Sequence, residues 1–262
     1  MSMSIVKLQF NEGIAQLTLS RPEVRNAIND KLILELTHAL EEVANAPEIR
    51  VLVMTGEGSA FCAGADLEWM ERAAGYSQAE NFKDAERLAQ MLNRLYTLPI
   101  PVIAKVNGPA VAGGMGLVSA CDVVIAARTA YFALTEVRLG LVPATIAPYV
   151  VRAMGVQACR RYMLSAERIP APDALRIGFV HQVCEQQDLD VTVDELAAAM
   201  RAGGPGALRE TKELLAWVGD TALDGSAIST TARLIATVRS SAEGKEGLRS
   251  FLEKRTPEWQ TR

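Results

Sequence analysis

The sequence predicts an α/β fold over residues 1–187, followed by a helical region over residues 188–262. Two observations predict the α/β part: short apolar segments typical of buried strands alternate with longer amphipathic segments, and Gly or Pro bounds several of them. This order of strand and helix indicates layered α/β packing. Beyond residue 188 only helical patterns occur, with breaks at residues 203–206 and 219–225.

The first elements are a predicted hairpin and a predicted helix. Residues 5–10 and 14–19 alternate apolar and polar side chains on either side of an Asn-Glu-Gly turn, which is typical of a β-hairpin. Residues 28–46 carry apolar residues at helical spacing. Asn29 or Asp30 stands where it can cap this helix.

Four short apolar runs are predicted as further strands. A loop at residues 57–67 separates the first of them from a long helical pattern at residues 77–97, and a glycine-rich helix follows the second. The predicted strands are residues 50–56, 101–106, 122–127 and 179–184.

Composition and charge exclude several classes of protein. Hydrophobic residues make up 49 % of the 262 residues and charged residues 22 %, which is ordinary globular composition. A net charge of −4 argues against a nucleic-acid partner held by bulk electrostatics. The start of the chain lacks a basic segment followed by an apolar core, and the apolar stretches are interrupted early. We therefore expect no membrane partner and a cytoplasmic location.

The cysteines and histidines do not suggest a metal site. The four cysteines are widely separated and form no CxxC pattern, so we expect reduced core thiols, including Cys62. The two histidines, His38 and His181, neighbour no second type of metal ligand. Asp122, at the start of a predicted strand, is expected to be structural.

Two loops carry the chemistry that the residues themselves suggest. SAFCAGADLEWM (59–70) and VNGPAVAGGMGL (106–117) each follow a buried strand and place small residues before a helix. Backbone N–H groups at a helix start are unpaired and suit a developing negative oxygen, so two loops could form an oxyanion hole. Three glycines, Gly113, Gly114 and Gly116, each cost a helix about 1 kcal/mol relative to alanine. Close helix packing or a tight turn would explain a Gly-Gly pair equally well.

Five segments together form a more specific pattern. They are RPEVRNAI (21–28), FCAGADL (61–67), VNGPAVAGGMGL (106–117), ACDVVIA (120–126) and FALTEVRLGLVP (132–143). In this order and at this spacing the chain resembles the enoyl-CoA hydratase/isomerase (crotonase) family, from about residue 5 to the terminal FLEKRTPEW (251–259). The resemblance implies a spiral of ββα units, followed by helices that assemble a homotrimer or a dimer of trimers.

The resemblance also implies site residues. The oxyanion donors would be the backbone N–H groups of Ala65 and Gly113, which bind the thioester oxygen of an acyl-CoA as it becomes an enolate. Gly113 and Gly114 would leave room for that carbonyl. Coenzyme A is expected as part of the substrate, with no separate cofactor, and Phe251 and Lys254 would close over it from a neighbouring subunit. The implied substrate-binding residues are Arg25, Ala27, Ile28, Ala63, Asp66, Leu67, Gly114, Phe251 and Lys254.

Two of these residues also have interpretations of their own. Arg25 has the charge and geometry of a phosphate partner, although a solvated loop arginine would look the same. Asp66, beside the first loop, is in addition predicted to cap a helix or form a turn.

The chain departs from the family pattern at the acid–base residues. Typical hydratases of the family use two glutamates to hold a water and move its proton. Here the first position is Gly116 and the second is Glu136, and the usual glycine-rich run after the proline is replaced by ATIAP (144–148). Apolar neighbours are expected to raise the pKa of Glu136, whereas a surface pair with Arg138 is the alternative.

One glutamate leaves two reactions open. A hydratase would add water across C2=C3 of an enoyl-CoA, and a Δ3,Δ2-enoyl-CoA isomerase would move a proton with the same glutamate. The segments GGMGLVSACD, FALTEVRLGLVPATIAPYVV and GADLEWM resemble bacterial methylglutaconyl-CoA or γ-carboxygeranoyl-CoA hydratases, which favours a hydratase with a branched or carboxylated substrate. A member that only binds a CoA thioester is the third interpretation.

Overall fold

The computed structural model describes residues 4–219 and 221–261. Its strands are β1 (Val6–Asn11), β2 (Ile14–Leu19), β3 (Val51–Gly56), β4 (Val102–Val106), β5 (Ala110–Val111), β6 (Val123–Ala127), β7 (Tyr131–Ala133), β8 (Ile169–Pro170) and β9 (Gln182–Cys184). Its α-helices are α1 (Asp30–Ala44), α2 (Leu67–Ala74), α3 (Gln78–Tyr96), α4 (Gly113–Ser119), α5 (Ala147–Ser165), α6 (Ala171–Arg176), α7 (Leu189–Arg201), α8 (Pro205–Val218), α9 (Gly225–Ser240) and α10 (Ala242–Leu252). Short 3-10 turns include Glu136–Leu139.

A six-stranded sheet forms the centre of the fold, in the order β1-β2-β3-β4-β6-β9. The predicted hairpin is confirmed, because β1 and β2 pair antiparallel from Val6–Leu19 to Asn11–Ile14. The remaining neighbours pair parallel. Strand β3 is buried along its whole length, as its continuous apolar sequence predicts.

A second sheet of three short strands, β5-β7-β8, stands beside the glycine-rich helix. Strands β5 and β7 run parallel, with Val111 opposite Ala133. Strands of two or three residues contain no full alternation, so the sequence did not predict this sheet. It nevertheless fixes where the start of α4 lies.

One predicted boundary was wrong. The last strand covers only Gln182–Cys184 rather than residues 179–184, because the amides of Phe179 and Val180 donate to the carbonyl of Ala174 in α6. Helix α2 begins at Leu67, at the end of the loop predicted at residues 57–67. The N-cap of α1 is Asn29, whose side chain accepts from the Leu32 amide.

Helices cover both faces of the central sheet. The main apolar core joins the sheet to α1, α3, α4 and α5. On the other face α7 contributes Leu189, Val193 and Ala197 to a second core with Val51 and Ile103. Packing of the sheet therefore continues beyond residue 187, and the division of the chain there stays a prediction.

Helices α8 and α9 begin at the two predicted breaks, whereas the boundary between α9 and α10 at Ser241 was not predicted. Helix α10 packs mainly against α9 and α8. Among the described residues of α9 only Ala227 is buried. No helix in the described ranges is long and apolar enough to cross a membrane.

Candidate active site

The loop between β3 and α2 presents one free backbone donor. Ile28 donates its N–H to the Gly64 carbonyl over 2.7 Å, and Asp66 donates its N–H to the Ile28 carbonyl over 2.8 Å. Successive peptide groups of an extended chain point in opposite directions, so the N–H of Ala65, between these two bonds, points away from Ile28. Ala65 is partly exposed, and within the described chain its N–H donates to no protein atom. It is therefore available to a ligand.

Gly64 brings this loop against the start of α4. Its φ of +99° lies in a region that side chains rarely adopt, and a Cβ there would come 3.1 Å from the carbonyl oxygen of Val111 and 3.3 Å from the Cβ of Ala112. Because Gly64 precedes Ala65 and Ala112 precedes Gly113, this close approach places the two predicted oxyanion residues next to each other.

The start of α4 presents the second free donor. Ala112 has a φ of 48° and a ψ of −117°, a strained conformation for a residue with a side chain. Its N–H donates to the Ala133 carbonyl over 2.8 Å, and its carbonyl accepts the first helical bond from Gly116 over 3.1 Å. The Gly113 N–H thus precedes the first helical donor and is unpaired among the described residues. Such strain is typical of functional sites.

Gly114 has a different reason to lack a side chain from the one expected. It is buried, and a Cβ on it would lie 2.4 Å from the carbonyl oxygen of Cys62 and 2.8 Å from the Cβ of Cys62. The bare backbone of Gly114 therefore permits close packing of α4 on the loop rather than the approach of a substrate carbonyl. Contact between Gly114 and substrate stays a prediction.

Glu136 begins the turn that follows β7. Burial raises the pKa of its carboxyl group above the ordinary value, and its Oε2 atom is buried without a hydrogen-bond partner. In the part of the chain that the structure describes, no ion pair joins Glu136 to Arg138, so the surface-pair alternative is not what forms. The turn lies three residues after Ala133, which is bonded to Ala112. Glu136 and the free Gly113 N–H therefore lie just beyond the same end of two parallel strands.

Comparisons with known proteins agree with this arrangement. The family described as enoyl-CoA hydratase/isomerase matches residues 9–262. The chain belongs to this family. An Escherichia coli relative named 2,3-dehydroadipyl-CoA hydratase is 35 % identical and covers 100 % of both chains. An Aspergillus fumigatus relative named mevalonyl-coenzyme A hydratase sidH is 35 % identical over 94 % of this chain and 91 % of its own.

The fold places the chain in the same family. A solved structure of an enoyl-CoA hydratase from Shewanella pealeana superimposes with a TM-score of 0.95 at 38 % identity, covering 97 % of this chain and 96 % of that one. The predicted crotonase-type α/β fold with C-terminal helices is thereby confirmed.

Within this family fold, a largely buried ion pair holds the loop between β3 and α2, and the sequence did not predict it. Arg21 donates to the Asp66 carboxylate over 2.8 Å and to the Ala27 carbonyl over 2.7 Å. Asp66 also caps α2, as predicted, by accepting from the amides of Glu68 and Trp69. Hydrogen bonds from Arg21 and from two backbone amides hold the pKa of the Asp66 carboxyl below its ordinary value, against the effect of burial. These contacts tie the loop to the segment before α1.

Asn26 is a second functional support that the sequence did not single out. It is fully buried, with a φ of 57°. Its amide nitrogen donates to the carbonyls of Glu57 and Ala60, both over 2.9 Å, and its amide oxygen accepts from the Arg21 amide over 2.8 Å. Asn tolerates the left-handed conformation better than most residues, which was the available sequence signal.

Four of the residues predicted to bind coenzyme A lie within residues 25–28 or at the start of α2. Arg25 is exposed and forms no ion pair with the described residues. Its carbonyl oxygen accepts a hydrogen bond from the Ala63 amide over 2.9 Å. Leu67 is exposed at the start of α2. Ala27 and Ile28 are buried, so any contact with coenzyme A would go through their backbone. These assignments stay predictions.

Phe251 and Lys254 lie at the end of α10 and beyond it, and both are exposed. The main packing partners of α10 are α8 and α9, neither of which supplies a residue of the site. Their contact with coenzyme A from a neighbouring subunit stays a prediction.

The remaining candidate groups have structural partners. Burial raises the pKa of the Cys62 thiol to about 12, which leaves it unreactive at neutral pH. Asp122 accepts from the Val102 amide and from Lys212, both over 2.7 Å. The Nδ1 atom of His181 accepts a hydrogen bond from the Val124 amide over 3.0 Å. Across the described ranges, no cluster of His, Cys, Asp and Glu could hold a metal ion.

Proposed function

We propose that the protein is an enoyl-CoA hydratase that adds water across the C2=C3 bond of an enoyl-CoA. The observation that carries this proposal is the buried, unpartnered Oε2 of Glu136 at the end of the fold where Ala65 and Gly113 leave their N–H groups free. A general base needs a free carboxylate near its proton donor, and an oxyanion hole needs fixed donors.

The reaction follows from these groups. The Glu136 carboxylate accepts a proton from water as the water oxygen bonds to C3, and the electrons of the double bond move toward the thioester. The resulting enolate oxygen accepts hydrogen bonds from the Ala65 and Gly113 N–H groups. Glu136 then returns the proton to C2, which regenerates the carboxylate. The raised pKa of Glu136 suits both steps, because the group must take and give a proton near neutral pH.

The substrate is proposed to be branched or carboxylated. The E. coli relative is named for a dehydroadipyl thioester, whose acyl chain carries a second carboxylate. With Gly116 unable to hold water, a carboxylate on the substrate could orient the water that Glu136 deprotonates. The resemblance to methylglutaconyl-CoA and γ-carboxygeranoyl-CoA hydratases points the same way.

An isomerase is the second candidate, and the absence of a side chain at Gly116 favours it. One carboxylate is sufficient to remove a proton from C2 or C4 of an acyl-CoA and return it at the other end of the allyl system.

A protein that only binds CoA thioesters would gain nothing from Glu136, whose burial without a partner costs stability.

A panel of acyl-CoA thioesters separates these functions. The panel contains a straight-chain 2-enoyl-CoA, a branched 2-enoyl-CoA, a carboxylated 2-enoyl-CoA and a 3-enoyl-CoA. A hydratase removes the conjugated enoyl absorbance of a 2-enoyl substrate and yields the 3-hydroxyacyl product. An isomerase instead creates that absorbance from the 3-enoyl substrate. Binding without either change would refute both enzymatic proposals.

The chain is further proposed to form a homotrimer or a dimer of trimers. The stretch ISTTARLIATV (228–238) lies in α9 and leaves Ile228 and Ile235 exposed, and Leu223 and Phe251 are exposed nearby in sequence. A second copy of the chain would cover these apolar groups and bring Phe251 and Lys254 to a neighbouring site. Sedimentation that finds a folded, active monomer would refute the assembly. A cytoplasmic location stays a prediction.

A further inference from the structure

Gly113 and Gly116 lie three residues apart in α4 and therefore face the same side of the helix. A Cβ at Gly113 would lie 2.8 Å from Cδ1 of Ile28, and a Cβ at Gly116 would lie 2.3 Å from Cγ2 of Ile146. Both isoleucines are almost fully buried, with 1 % and 2 % of their surface exposed. Two isoleucines thus border the face of α4 on which Gly113 and Gly116 lie.

The two contacts differ in which part of the isoleucine is involved. At Gly113 the neighbour is the tip of a side chain, which moves by rotation about one bond. At Gly116 the neighbours are Cγ2 and Cβ of Ile146, at 2.3 and 2.9 Å, which cannot both move away unless the backbone moves. That backbone is held, because the Ile146 carbonyl accepts from the amides of Tyr149 and Val150, both over 3.1 Å. No side chain therefore fits at residue 116 while Ile146 is in place.

Ile146 stands at the junction of the elements that form the site. It is the residue immediately before α5, and both α4 and the Glu136–Leu139 turn pack against α5. A side chain at residue 116 would extend from the face of α4 on which Gly113 and Gly116 lie toward this junction. A carboxylate placed there would be a second acid–base group beside Glu136, and Ile146 occupies its space.

We propose that Ile146 keeps residue 116 free of a side chain and so restricts the site to one carboxylate, Glu136. The proposal rests on the proposed function, in which Glu136 moves the proton. Ile146 itself carries no charge and offers Glu136 no hydrogen-bond partner. The consequence is a site in which proton transfer depends on a single group and in which the wall beside α4 is apolar.

The first arm of the test measures thermal stability. Gly116→Ala should lower the Tm by several degrees, because its Cβ meets atoms that cannot move aside. In the Ile146→Gly background the same change should cost little, whereas in the Ile146→Val background, which retains Cβ and the branch, it should cost as much as before. Gly113→Ala is the matched control and should cost less, since it meets only the tip of Ile28. Additive Tm changes for Gly116→Ala and Ile146→Gly would overturn the proposal.

The second arm measures turnover, in a Glu136→Gln background, of the 2-enoyl-CoA of the panel that the wild type prefers. Adding Gly116→Glu together with Ile146→Gly places a carboxylate in the cleared space and should raise turnover at least tenfold, because it restores part of the roughly 10²–10⁴ that general acid–base catalysis contributes. Gly116→Glu with Ile146 retained should give no gain. A folded triple variant without any gain would overturn the proposal while leaving wild-type activity intact. A wild type that turns over no acyl-CoA of the panel would instead overturn the proposed function.

Discussion

The backbone N–H of Ala112 donates to the carbonyl oxygen of Ala133 over 2.8 Å, and this one bond joins the two halves of the site. Ala112 directly precedes the free N–H of Gly113, and Ala133 stands three residues before Glu136. The bond continues the parallel pairing of Val111 with Ala133. A short sheet rather than a loop therefore holds the free Gly113 N–H and the Glu136 turn relative to each other, which suits a site that must be held rigidly.

Removal of the Gly113 donor should slow the reaction without abolishing the fold. Gly113→Pro removes the N–H at the first position of α4, where proline is tolerated, and should lower kcat by roughly 10²–10³. Gly113→Ala is the matched control, because it keeps the N–H and adds a Cβ against the movable tip of Ile28. Steady-state kinetics of both variants check this. Near-normal turnover in folded Gly113→Pro would remove Gly113 from the oxyanion hole.

The pH dependence of kcat/KM should show the raised pKa of Glu136. Burial raises this pKa, so the carboxylate needed as base is populated only at a pH above the ordinary range of glutamate. We expect an acid limb whose midpoint lies above 4.5, the ordinary value of a glutamate carboxyl. A rate profile recorded with a fixed thioester tests this. An acid limb at or below 4.5 would mean that the carboxylate is solvated in the working enzyme.

Glu136→Gln should stabilise the protein at neutral pH. Folding raises the pKa of the Glu136 carboxyl, so the folded state is favoured while this group is protonated. This contribution to the free energy of unfolding is complete below the ordinary glutamate pKa and is lost as the pH rises through the raised pKa. The uncharged amide has no such loss. We expect a Tm above that of the wild type at pH 7, and a difference that shrinks as the pH falls through this window. An equal difference at every pH would contradict the assignment.

The buried pair of Arg21 and Asp66 should matter far more than a surface pair. Asp66→Ala leaves the Arg21 guanidinium buried without its partner and uncaps α2, which should cost about 3–5 kcal/mol. Glu41→Ala breaks an exposed pair with Arg94 and should cost less than about 1 kcal/mol. Urea unfolding of both variants measures the contrast. Comparable losses would mean that the stability of the loop between β3 and α2 does not depend on the pair of Arg21 and Asp66.

Local patterns were sufficient to predict much of the fold. The hairpin, a cap at Asn29 or Asp30 and the two helical breaks at residues 203–206 and 219–225 each depend on residues close in sequence, so alternation, capping and glycine reveal them. The small residues before α4 likewise predicted free N–H groups at the helix start, because any helix start leaves such donors unpaired, and the family resemblance assigned one of them to Gly113.

Contacts between distant residues could not be predicted in the same way. The Arg21–Asp66 pair spans 45 positions, and nothing local distinguishes Arg21 from Arg25 as its partner. The reason for Gly116 lies in Ile146, thirty residues further along, immediately before another helix. The short strands β5, β7 and β8 become strands only because they pair with each other. Tertiary packing decides all of these.

The central claim is that Glu136 alone moves the proton, and the Glu136→Gln variant tests it most directly. The variant should lose turnover by roughly 10²–10⁴ on the enoyl-CoA that the wild type prefers, because the amide cannot accept a proton. Its affinity for an unreactive thioester should be unchanged, since the Ala65 and Gly113 N–H groups and the predicted coenzyme A contacts remain. Turnover within tenfold of wild type, in a variant that still binds the thioester, would mean that another group moves the proton and would contradict the account.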